Sequence, residues 1–188
     1  VQARRSAELR NDDALAAKAK SLRNHGMEPK YFHSLVGGNF RLDALQAAFL
    51  RVKLARYASF TKGRQANADY YTEALQQLPG VADGTALVLP RASAGHEHIW
   101  NQYTLRVLHG RRDALRDHLA SRHIGCDIYY PLTLDQQECF ATLPESSRSG
   151  CRVAHQLAGE VLSIPVYAEL TGSQREEVVA AISSFLQA

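Results

Sequence analysis

The stretch Tyr31-Phe-His33-Ser-Leu-Val-Gly37-Gly38-Asn39-Phe-Arg41-Leu-Asp-Ala-Leu-Gln-Ala-Ala-Phe-Leu-Arg-Val-Lys-Leu54 joins an aromatic loop to the most regular hydrophobic pattern in the chain. Leu42, Leu45, Phe49 and Val52 recur at steps of three and four residues, and Tyr71, Ala74, Leu75 and Leu78 carry the pattern on. That is the period of one helix face. Ala47, Ala48 and Ala55 favour helix, Gly63 predicts a kink or break, and Pro79-Gly80 end the run. A helix or helix pair of this length reads as a spine between layers. Ahead of it, two glycines let the backbone approach a ligand closely, and the Asn39 amide at a helix start suits an anion such as phosphate. The competing reading makes Asn39 a helix cap and the glycines a turn.

Toward the N-terminus, Asn11-Asp12-Asp13 followed by Ala14, Leu15, Ala17, Ala19 and Leu22 predicts a helix. Acidic groups sit at its positive end, and Lys18, Lys20 and Arg23 lie toward its negative end. His25-Gly26 supplies the stop. Residues 1–10 show no strong period and stay unassigned.

Toward the C-terminus, short strands and helices alternate. Ile99, Tyr103, Leu105 and Val107 sit at period two and predict a strand with one buried face. Ala114, Leu115, His118 and Leu119 predict a helix, Cys126 to Tyr130 a further strand, and Pro131 to Gly150 a loop holding the Ser146-Ser147-Arg148-Ser149 run. A helix through Val153, Ala154, Leu157 and Ala158 is followed by a short buried strand within Val161 to Val166. Thr171 with Gln174 forms a capping-box start for a last helix carrying Val178, Val179, Ile182 and Phe185. The pattern is that of a small α/β layer.

Composition excludes several classes. The 188 residues are 45% hydrophobic and 22% charged, which argues against disorder of the whole chain. Twenty-two basic and nineteen acidic side chains leave a charge of +3. The basic pairs Arg4-Arg5 and Arg111-Arg112 read as solvated surface rather than a nucleic-acid site. No apolar run approaches a membrane span, and VQARRSAELR does not read as a signal peptide, so the expected setting is cytoplasmic. Cys126, Cys139 and Cys151 lack CxxC spacing and are expected to be small buried hydrophobes. His96-Glu97-His98 lacks the HExxH zinc spacing, and no metal site is expected; these histidines read as solvated or hydrogen-bonded. Neither GxGxxG, a P-loop nor a nucleophile elbow is present.

The run Leu22-Arg-Asn-His-Gly26 through Tyr31 to Leu54 resembles the DegT/DnrJ/StrS family of sugar aminotransferases. The likeness continues in order through "NQYTLRV", "GRRDALRDHL", "IYYP", "ECF" and "VLSIPVYAELT" to the final helix, about residues 11 to 186. It implies an α/β fold, the small C-terminal domain of a fold-type I aminotransferase. In that fold a spine helix and a small mixed or antiparallel sheet with helices (39–188) follow a remnant of the large domain and a dimer loop (1–38). It implies a pyridoxal 5'-phosphate enzyme that moves an amino group, usually from glutamate, to a keto group on a nucleotide-linked sugar, as a homodimer with shared active sites.

Carried over, Asn39 corresponds to the asparagine that reaches the partner's cofactor phosphate. Tyr31, His33 and Arg41 fall in the segment near the substrate pocket; Trp100 and Tyr103 match a strand where core packing is expected. The resemblance also implies a Schiff-base lysine upstream of this stretch. None of Lys18, Lys20, Lys30, Lys53 and Lys62 lies in an S-F-x-x-x-K segment, so the chain alone is expected to have no catalytic residue of its own and to be inactive. A catalytically dead binding or regulatory module of the same ancestry is the alternative. Relatives commonly read YYP-x-PLH-x-Q where this chain has Thr133 for the proline and Asp135 for the histidine near the sugar. A carboxylate accepts but cannot donate, and would repel a diphosphate. Residues 1–10 are also more polar than the apolar strand expected there. Finally, the apolar face around Leu15, Leu22 and Leu35, having lost a large-domain partner, is expected to be covered by oligomerisation or to be disordered.

Overall fold

A computed structural model describes residues 12–142, 144 and 150–187. The segment 1–10, Asn11, the Arg4-Arg5 pair and the Ser146-Ser147-Arg148-Ser149 run lie outside the described residues. The chain divides into two units, 1–55 and 56–188.

The first unit holds two helices and the loop between them. Helix α1 (Asp13–Leu22) begins where the Asp12 carboxylate accepts the Leu15 N–H at 2.8 Å, satisfying a donor the helix cannot. It ends as expected, with His25 and Gly26 both left-handed at φ 62° and 63°. Helix α2 (Ala44–Leu54) is capped by Asp43, whose Oδ1 accepts from Leu45 N at 2.8 Å and Gln46 N at 3.2 Å. Among the described residues of this unit only Gly26 is buried. Leu15 and Leu35 are exposed, as are Leu45, Phe49, Leu50, Val52 and Leu54 around α2.

The second unit has a closed core. Helix α3 (Tyr57–Leu75) precedes β1 (Leu87–Val88) and β2 (Tyr103–Val107); then come α4 (Arg112–Ser121), α5 (Arg152–Glu160), β3 (Val161–Ile164) and α6 (Gly172–Leu186). The sheet is antiparallel in the order β1-β2-β3, with Leu87 opposite Val107 and Leu105 opposite Leu162. Along β2 the buried residues are Tyr103, Leu105 and Val107, the expected alternation, whereas Ile99 lies outside the strand and is exposed. They meet Tyr71 and Leu75 of α3, Leu115 and Leu119 of α4, and Ile182 and Phe185 of α6 in one cluster. Trp100 and Tyr103 are core residues, their ring centroids 5.4 Å apart. The α6 capping box forms: Gln174 N donates to Thr171 Oγ1 at 3.3 Å, and Thr171 N donates to Gln174 Oε1 at 2.9 Å.

Several expectations are corrected. The break predicted at Gly63 falls elsewhere: the spine is the helix pair allowed for, parted at Ala55–Arg56, and Gly63 lies inside α3 without breaking it. Its lack of a side chain serves packing instead: a Cβ there would stand 2.9 Å from the Ala168 carbonyl oxygen. Cys126 to Tyr130 is not a strand. Only Asp127 pairs with Ser163, through two backbone hydrogen bonds of 3.0 and 2.8 Å, because β3 is short and its other edge is taken by β2. Cys139 and Cys151 are exposed and Cys126 is half-buried, since the first two lie on surface turns. Arg111 and Arg112 are bound within the fold: Arg111 stacks on Phe185, while Arg112 is buried and donates to the Ala158 carbonyl at 3.0 Å.

Candidate functional site

Tyr31, His33, Asn39 and Arg41 all fall in the first unit, and Asp135 in the second. The loop around Asn39 is held by a short antiparallel pairing of the chain on itself. Gly38 N donates to Leu22 O at 3.0 Å, Phe40 N to Arg23 O at 3.0 Å, and His25 N to Gly38 O at 3.1 Å, with Asn39 bridged to Asn24. The glycines make this pairing possible. A Cβ on Gly37 would stand 2.4 Å from Leu22 O, and one on Gly26 would stand 2.0 Å from Leu35 O. Gly37 therefore brings the backbone close to its own chain, not to a ligand.

Asn39 is not the cap of the following helix, since α2 starts at Ala44 and Asp43 caps it. The carboxylate answers the orphan amides and leaves the Asn39 side chain for other work. That side chain is exposed, and its Oδ1 accepts from Arg41 Nε at 2.8 Å. His33 is tied by Nδ1, which donates to the His25 carbonyl at 3.0 Å and leaves Nε2 as the ring's other functional atom. Tyr31 is 75% exposed at φ 73°, and Lys30 Nζ stands 4.8 Å from its ring centre.

In the second unit, Asp135 lies on a single 3₁₀ turn (Leu134–Gln136). Its Oδ2 meets His155 Nε2 of α5 at 2.6 Å, a partner that sequence spacing does not reveal, because the two are twenty residues apart on different elements. Hydrogen bonding from Thr133 lowers the Asp135 carboxyl below the usual carboxylate range, with burial working against it and His155 adding to it. The carboxylate is thus a paired group. Asp135 also lines a cavity of about 940 Å³ with an otherwise mainly apolar wall that includes Tyr130, Leu134, Phe140 and Leu157.

The five lysines are all exposed. His96 and His98 are hydrogen-bonded to nearby backbone, His98 Nδ1 accepting the Trp100 N–H at 2.9 Å. Among the described residues there is no His, Cys, Asp and Glu grouping able to hold a metal, and no helix long and apolar enough to cross a membrane.

The sequence pattern of the DegT/DnrJ/EryC1/StrS aminotransferase family matches residues 7–183. The chain is 38% identical to a pleiotropic regulatory protein of Geobacillus stearothermophilus over 94% of its own length and 46% of the relative's. It is 37% identical to the UDP-N-acetyl-3-dehydro-alpha-D-glucosamine 3-aminotransferase of Acidithiobacillus ferrooxidans, covering 94% of this chain and 43% of that one. Among solved structures, S. venezuelae DesV in complex with a ketimine intermediate superposes with a TM-score of 0.82 at 34% identity, over 94% of this chain and 45% of the other. The chain therefore spans a little under half the length of these relatives.

Proposed function

The chain belongs to the DegT/DnrJ/EryC1/StrS aminotransferase family, and we propose that it is the C-terminal part of a pyridoxal 5'-phosphate enzyme that converts a nucleotide-linked keto-sugar to an amino-sugar. The supporting observation is the extent of the likeness: 94% of this chain against 43% of a nucleotide-sugar aminotransferase. The Schiff-base lysine then comes from the remainder of the enzyme, and glutamate is the amino donor. The working form is a cytoplasmic homodimer with shared sites.

The donor set of the first unit fits the cofactor's phosphate. Asn39 carries an exposed amide whose oxygen is already taken, so its N–H groups are what an anion would meet. Once bound, the cofactor acts as the electron sink that makes amino transfer feasible. This chain's own residues bind and orient: Asn39 donates to a phosphate oxygen from the partner subunit's side, and Tyr31, His33 and Arg41 contact the sugar nucleotide. Asp135, hydrogen-bonded to His155, accepts from a sugar hydroxyl.

The test is reconstitution. The chain is produced joined to an upstream half bearing the lysine, and cofactor absorbance and amino transfer from glutamate are measured. Both are expected in the joined protein and neither in the chain alone. Cofactor absorbance without transfer to any nucleotide-linked keto-sugar would favour a regulatory module instead, a reading the Asp135 change supports. No cofactor absorbance at all would overturn the proposal.

A further inference from the structure

Arg41 and Asn39 stand two residues apart, and the Arg41 guanidinium donates through Nε to Asn39 Oδ1 at 2.8 Å. A guanidinium carries only donors, so the atom it meets is the amide oxygen and not the amide nitrogen. The contact thereby sets the orientation of a group that could otherwise face either way. The backbone position is set separately. Hydrogen bonds from Gly38 N to Leu22 O and from Phe40 N to Arg23 O hold the residues on both sides of Asn39.

An unheld amide presents oxygen as readily as nitrogen, and an oxygen facing a phosphate oxygen is repulsive. Holding the oxygen on a cation removes that conformation in advance, so less ordering is left for the moment of binding.

We propose that Arg41 is a positioning residue that locks the Asn39 amide with its NH₂ outward, making it a donor-only contact for the cofactor phosphate. The proposal rests on the reading that Asn39 meets that phosphate, and it assigns Arg41 a task beyond substrate contact.

Two measurements test it. In the 188-residue chain, the Asn39 side-chain amide is followed by ¹⁵N NMR. Arg41→Ala is expected to shift the Asn39 NH₂ pair toward free-amide values while the Gly38 and Phe40 backbone signals hold. Unmoved Asn39 signals would overturn the lock whether or not the cofactor reading stands. In the joined dimeric enzyme, dissociation constants are measured for pyridoxal 5'-phosphate and for pyridoxal, which lacks the phosphate. Asn39→Ala is expected to weaken the phosphorylated ligand by about tenfold, as loss of one hydrogen bond to a charged group implies, and to leave pyridoxal unchanged. Arg41→Ala should weaken it severalfold in the parent, add nothing in the Asn39→Ala background, and be partly rescued by Arg41→Lys. Equal losses from Arg41→Ala in both backgrounds would overturn the positioning role. No phosphate-dependent loss from Asn39→Ala would overturn the parent reading instead, leaving the NMR result to judge the lock.

Discussion

The two units differ in how they are stabilised. In 56–188, residues from three helices and the sheet converge on one core, where Tyr71, Leu105, Leu115 and Ile182 are fully removed from solvent. In the described part of 1–55 only Gly26 is buried, while Phe49 is 64% and Val52 70% exposed. One unit buries a core of its own, although Tyr130, Leu134 and Val153 remain exposed on it. The other is held by caps and by the pairing of 22–25 with 38–40, and leaves its apolar side chains outward. Helix α2, apolar on most of its circumference, is of the kind that a larger assembly buries. The unit with the self-sufficient core carries the fold, whereas the unit proposed to lend a donor to a partner shows no core among its described residues.

The sharpest way to break this contrast is a matched pair of truncations. Leu105→Ala should cost roughly 2–5 kcal/mol, because it opens a cavity among fully buried neighbours. Phe49→Ala in the isolated chain should change stability by no more than about 0.5 kcal/mol. Urea denaturation followed by the fluorescence of Trp100, the one tryptophan and a core residue, reads both. A loss at Phe49 comparable to that at Leu105 would mean that the first unit has a core after all.

A smaller effect is expected at Thr171. Removing its hydroxyl deprives Gln174 N of an acceptor, so Thr171→Ala should lower stability by about 1 kcal/mol. The same denaturation curve should register it, because α6 belongs to the cooperative core.

The smallest effect is the pH response of Asp135. Its folded-state pKa lies below the ordinary value of 3.8, so its contribution is present above that pH and is lost as pH falls below it. Asp135→Asn should therefore lose that contribution in the neutral range and flatten the acid limb below about pH 4, where the two proteins converge, as urea midpoints measured across that range would reveal. An unchanged acid limb would mean that the hydrogen bonds from Thr133 and His155 to the carboxylate do not persist in solution.

Much of the fold was legible because its signals are local. The alternation at Tyr103, Leu105 and Val107, the Thr171–Gln174 box and the His25-Gly26 stop each depend on a few neighbouring residues obeying a fixed period or backbone preference. What misled was local too. Gly63 looks like a kink until Ala168 is found against it, and Cys126 to Tyr130 looks like a strand until β3 is seen to offer it one residue. Asn39 looks like a cap until Asp43 is seen to do that work.

The residues proposed for the site divide in the same way. Asn39, Arg41, Tyr31 and His33 stand out from the order of a motif, and Asp135 from a departure within one. His155 carries no such mark, since its meaning comes from a carboxylate twenty residues earlier.

Periodicity and motif order were enough to name the α/β class and the family, because both are written in short-range spacing. Which side chain is buried, which carboxylate is paired and which way the Asn39 amide faces required the folded chain. Those depend on atoms brought together from distant positions, and on hydrogen bonds whose partners no spacing rule specifies.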